Sequence, residues 1–109
     1  MKPIENSYAP FKDTCLKYFD HKSYATVIDE NTAGVVEENG HKFLKAGTPF
    51  PSNDADCKGY VLHTYDVTNG SQSAAIIFEG SIDNKILDEN GVTVSEAAKA
   101  ATPRVTFFD

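Results

Sequence analysis

Two neighbouring apolar runs constrain this chain more than any other feature. Gly59-Tyr60-Val61-Leu62-His63-Thr64-Tyr65 is rich in valine, leucine and tyrosine, and a polar loop around Asn69-Gly70 separates it from Ala74-Ala75-Ile76-Ile77-Phe78-Glu79-Gly80. The second run is almost continuously apolar where a half-exposed strand would alternate. The pair predicts a β-hairpin whose second strand is buried on both faces. A short alanine-rich helix and a last strand, Arg104 to Phe108, follow it.

The N-terminal half carries a second hairpin signal. Val35-Val36-Glu37-Glu38 and His41-Lys42-Phe43-Leu44 flank Asn39-Gly40, the two-residue loop best suited to a type I′ turn because both central positions need positive φ. In that register Val36 faces Phe43 and Glu38 faces His41, so apolar and polar pairs segregate. Ser23 to Asp29 alternates as a first strand. Lys45 to Pro51 contains two prolines, which cannot donate to a central ladder, so it belongs at an edge or corner. Ser52 to Asp56 reads as a solvated loop and Asp88 to Gly91 as a turn. Thr93 and Glu96 fit a capping box opening a helix that runs to about Ala101, since Pro103 biases Thr102 away from helical geometry.

The tally is six or seven short strands, one helix and many turns, which gives a mainly β domain: a small barrel or sandwich with one short C-terminal α-helix. At 109 residues there is room for one domain, burying roughly two-thirds of the surface its unfolded chain exposes. Residues 1–23 stand apart from it. Tyr8, Phe11, Leu16, Tyr18 and Phe19 lie there among charges without a sustained period, and Pro3 and Pro10 interrupt any helix. This segment reads either as an N-terminal strand and loop or as an arm that orders against a partner, ahead of a β-rich domain at 24–109.

Charge and chemistry narrow the function classes. With 16 acidic against 10 basic residues the formal charge is −6, which disfavours nucleic acid and anionic membrane as partners. No apolar run approaches the roughly 20 residues of a membrane span, and the first residues lack the apolar core of a secretory signal. A soluble protein made in a cytoplasm is expected, with Cys15 and Cys57 as reduced thiols. Asp54, Asp56, Cys57 and His63 have neither zinc nor calcium spacing, so no metal and no cofactor are expected. Neither cysteine lies in a setting that lowers its pKa, and the acidic pairs Glu37-Glu38, Asp54-Asp56 and Asp88-Glu89 fall at turns. An enzyme is not expected.

From Lys45-Ala46-Gly47-Thr48-Pro49 onward the sequence resembles the lambda-type head decoration proteins of tailed bacteriophages. The likeness continues in order through Gly59-Tyr60-Val61-Leu62, Asp66-Val67, the apolar strand ending at Gly80, Ser81-Ile82-Asp83-Asn84, Lys85-Ile86-Leu87, Glu96 to Ala101, and Val105-Thr106-Phe107-Phe108. The order and spacing of these motifs carry the resemblance, over about the last 65 residues. It implies a compact β-tulip fold and a non-enzymatic virion protein, synthesised in the bacterial host cytoplasm. Such proteins bind the outside of the expanded head as homotrimers and stabilise the shell. The implied partner is the phage major capsid protein, with Tyr8, Phe11, Leu16, Tyr18 and Phe19 as capsid-binding anchors in the arm. The base of a phage head fibre and a small ligand-binding β-barrel are the alternative functions.

Overall fold

The computed structural model describes residues 13–109, and two sheets and two short helices are found among them. The larger sheet takes the order β1 (Leu16–Ile28), β7 (Gln72–Asp83), β5 (Gly59–Val61), β4 (Pro49–Phe50), and β8 (Val105–Phe108) also pairs with β7. The smaller sheet is β2 (Val36–Glu38), β3 (His41–Leu44) and β6 (Tyr65–Asp66). Helix α1 (Asn84–Asn90) and helix α2 (Glu96–Ala101) lie between β7 and β8 in the chain. This is the mainly β, sandwich-like architecture read from the strand count.

Strand β7 is the axis of the molecule. It pairs antiparallel with β1 along one edge, antiparallel with β5 along the other at Tyr60↔Ile77 and Val61↔Ile76, and then parallel with β8 from Gly80↔Val105 to Asp83↔Phe108. Because side chains alternate across a sheet, neighbouring residues serve different cores. Tyr60, Leu62 and Ile77 join one buried cluster with Leu87 of α1, Ala98 of α2 and Val105 of β8. Val61, Ala74 and Ile76 join a second with Ile28, Leu44 and Val67. Helices cover one face and the small sheet covers the other, so the expected two-sided burial of this strand is found. Fully burying each large aliphatic side chain contributes about 1.5–3 kcal/mol.

The hairpin at Asn39-Gly40 has the expected register, Val36↔Phe43 and Glu38↔His41, with φ of 55° and 82° at the two turn residues. The first long hairpin is present too, but its link detours. After β5 the chain leaves the large sheet and pairs β6 with β3, at Phe43↔Asp66 and Leu44↔Tyr65, before returning as β7. As the prolines require, β4 is an edge strand.

Four sequence expectations are corrected. The first strand starts at Leu16 where Ser23 was expected, so residues 16–23 belong to the sheet. The core strand runs from Gln72 to Asp83, longer than the apolar run alone. A second helix, α1, occupies Asn84–Asn90; its end, Asp88 to Gly91, has turn composition because Gly91, at φ 71°, is its left-handed C-cap. Ser95, and not Thr93, caps α2, accepting a hydrogen bond from the Ala98 amide at 3.1 Å.

Candidate functional site

The surface of β1 is where exposed apolar area concentrates. Among the described residues the exposed large hydrophobic side chains are Tyr18, Phe19, Tyr24 and Val27, and all lie on this strand. Phe19 is 84% exposed and Tyr18 58%, well beyond what a strand face packed on a core shows. Single exposed hydrophobics need no explanation, but a cluster on one element marks an interaction surface. The strand is also the edge of its sheet, with β7 on one side and no strand among the described residues on the other.

Local geometry pushes the aromatics outward. Leu16 pairs with Ile82 and the next partners are His21 and Gly80, so six residues of β1 span three of β7. The three surplus residues form a bulge that bends the strand and re-aims its side chains. Two contacts hold it. The Tyr18 amide donates to Ser81 Oγ at 3.0 Å, and β1 lies close over Gly80, where a Cβ would come within 3.0 Å of the His21 Cβ and 3.3 Å of the Asp20 carbonyl oxygen. A side chain at position 80 is disfavoured by contact and by the backbone, since φ is 152°. A second irregularity, between Lys22↔Glu79 and Ser23↔Ile77, leaves Phe78 as an extra residue on β7.

The rings lie against other rings, edge-on for Tyr18 and Phe19 and tilted for Tyr24. Tyr18 meets Phe108 at a centroid distance of 5.5 Å, Phe19 meets His21 at 5.9 Å, and Tyr24 lies 6.2 Å from Phe78. A mostly apolar groove of about 380 Å³ runs between the bulge and Leu62-His63. At its rim His63 Nδ1 has no hydrogen-bond partner and lies 3.6 Å from the Asp13 carboxylate. His21 also borders a second depression of about 310 Å³, lined with Asp20, Lys22 and Glu79. Glu79 draws Arg104 at 3.6 Å and Lys22 at 4.0 Å, both exposed pairs worth little in stability.

Of the residues expected to contact a partner, Tyr8 and Phe11 lie outside the described residues. Leu16, Tyr18 and Phe19 are all on β1, but they split: Tyr18 and Phe19 face solvent, while Leu16 is half-buried against the helical-side core. Tyr24 and Val27 complete the exposed set and were not singled out from the sequence, where they look like ordinary strand residues. The only available signal was that Ser23 to Asp29 has apolar residues on both alternating faces.

The candidate chemical groups do not converge. Burial pushes the Cys15 thiol up to about 12, opposed by a backbone hydrogen bond, so it is a poor source of thiolate at neutral pH. Cys57 is buried and its thiol donates to the Gly59 carbonyl at 3.2 Å; neither cysteine is in a disulfide. Asp54 accepts from Ser52 and the Asp56 amide in a local loop. His41 contacts Asp66 at 3.0 Å and so ties the hairpin to β6. Among the described residues no group of three or more His, Cys, Asp or Glu side chains is arranged to hold a metal ion. No helix among them is long and apolar enough to cross a membrane. No family model, curated protein or solved structure matches the chain.

Proposed function

We propose that this chain is a structural, non-enzymatic protein that binds the outside of the expanded head of a tailed bacteriophage and stabilises the shell as a homotrimer. The observation that supports a binding role is the gathering of Tyr18, Phe19, Tyr24 and Val27 on one edge strand. Aromatic side chains supply much of the energy of protein interfaces, and a strand edge offers unpaired backbone groups to a partner strand. The resemblance names the partner as the major capsid protein, and the mainly β architecture agrees with the fold that the resemblance implies. Three weak strands on one trimer would bind more tightly than one by a factor of about 10² to 10⁴, and only where sites on the shell match the spacing. Shell expansion then acts as the trigger with no catalysis.

Co-sedimentation with undecorated heads tests the reading, once with compact precursor shells and once with expanded ones. Saturable binding to expanded heads alone, weakened by Tyr18→Ala or Phe19→Ala, is expected. Binding to neither form overturns it.

A further inference from the structure

The chain contains three Asn-Gly pairs, Asn39-Gly40, Asn69-Gly70 and Asn90-Gly91, and the fold holds each of them differently. Asparagine followed by glycine is open to an uncatalysed reaction, because no Cβ shields the glycine amide from the side chain before it. The glycine nitrogen bonds to the asparagine Cγ, its proton ends on the departing side-chain nitrogen, and ammonia leaves. Water then opens the cyclic imide. Breaking the new bond gives aspartate, whereas breaking the original peptide bond gives isoaspartate, with the main chain rerouted through the side-chain carbons. Nothing is oxidised or reduced, and water is the sole co-reactant. We propose that Asn69 is a deamidation site in the folded protein and that the fold protects Asn39 and Asn90. This goes beyond the function proposed above and does not depend on it.

Ring closure requires the Asn-Gly peptide unit to swing its nitrogen onto the side chain, so a pair that is fixed in place reacts only through local opening. Asn90 is fixed at both ends of the reaction. It is 2% exposed, its Nδ2 donates to the Ala46 carbonyl at 3.2 Å, and the Gly91 amide is spent on the Asp88 carbonyl at 3.1 Å as the C-cap of α1. The reaction there needs the end of a helix to come out of the core.

Asn39 is exposed, but its backbone is held. It has φ 55° in the two-residue turn, and the pair Glu38↔His41 closes the ladder directly beside it. Swinging the Asn39-Gly40 peptide would break the turn geometry that sets the hairpin register.

Asn69 has neither restraint. It is exposed in the loop between β6 and β7, where residues 67–71 belong to no ladder. The Gly70 amide, the attacking group, donates only to the Val67 carbonyl at 3.4 Å, longer than an ordinary backbone bond. A Cβ built on Gly70 would meet nothing within 4 Å, so no neighbour blocks the swing. The same open space surrounds Gly40, which leaves backbone restraint as what separates the two exposed pairs. An isoaspartate at 69 lengthens a loop, whereas one at 39 would shift a register; the product at 69 is one that the fold accommodates.

The test is peptide mapping by mass spectrometry on the full chain aged in warm, mildly alkaline buffer. A parallel sample aged in urea gives the rate of each pair with no fold to restrain it. Folded and unfolded rates should be nearly equal at Asn69, reduced at Asn39, and reduced about tenfold or more at Asn90. Each event exchanges NH2 for OH and adds one negative charge to the formal −6, so a more acidic species should accumulate. Asn69→Ser should remove the first such species to appear, and aged protein should unfold in urea as fresh protein does. Conversion at Asn39 or Asn90 as fast as at Asn69, or conversion at Asn69 held well below its unfolded rate, overturns the proposal. No phage head enters the experiment, so this inference and the proposed function fail separately.

Discussion

Strands β1 and β7 are close to equal in length, 13 and 12 residues, and pair with each other along most of that length, yet they live in different environments. β7 has neighbours on both edges and a core on each face; Ala74, Ile76, Ile77 and Ile82 are buried in it. Of β1, only Ile28 at its far end is buried. A shared ladder therefore does not mean shared energetics. Hydrogen bonds along the pair contribute modestly to net stability, and side-chain burial separates a strand that holds the fold from one that is free to serve a partner.

The sharpest way to break this contrast is to truncate one residue on each strand. Ile77→Ala should cost about 2–5 kcal/mol in urea unfolding, because the site is fully enclosed and cannot collapse. Phe19→Ala should change stability by less than about 0.5 kcal/mol while weakening partner binding. Equal losses at the two positions would mean that β1 is as structural as β7.

Next in size are changes to the helical cover of β7. Ser95→Ala removes the α2 cap and should cost about 1 kcal/mol, whereas Thr93→Ala should be nearly neutral; the reverse order would restore the capping box read from the sequence. Tyr60→Phe should also cost about 1 kcal/mol. Its hydroxyl lies 2.8 Å from Thr102 Oγ1 and donates to the Ala98 carbonyl at 3.3 Å, pinning α2 to β5.

The smallest effect concerns the cover on the other face, and pH reads it. Partial burial pushes the Asp66 carboxyl up, but hydrogen bonds from the Thr68 hydroxyl and amide, together with His41, more than offset this and hold it below its ordinary value of 3.8. A carboxylate with a depressed folded pKa contributes stability that is present above 3.8 and lost as pH falls through the folded value. Asp66→Asn should therefore lower stability slightly at neutral pH and flatten the acid limb of the stability curve below that point. An unchanged acid limb would show that β6 and the hairpin are held by packing alone.

What was legible in the sequence was local. Asn39-Gly40 specified its turn and register because two successive positive φ angles leave few residue choices. The run Ala74–Gly80 announced a strand buried on both faces because an almost unbroken apolar stretch has no side to offer water. The second helix was illegible because seven residues are too short to display a period, and its Asp-Glu-Asn-Gly ending has the composition of a turn. The site was half legible: Tyr18 and Phe19 could be marked as large side chains among charges, but Leu16 could not be separated from them. Only the tertiary structure decided that β1 is an edge, that a three-residue surplus at 17–20 carries Tyr18 and Phe19 out while Leu16 turns in, and that Tyr24 and Val27 join the exposed set. Which strand lies at an edge depends on pairings between residues more than 40 positions apart, from Ile28↔Gln72 to Leu16↔Ile82 along this ladder. Composition and spacing along a strand carry no record of what lies beside it, so local sequence determined which residues form strands and the assembled sheet determined which of them meet solvent.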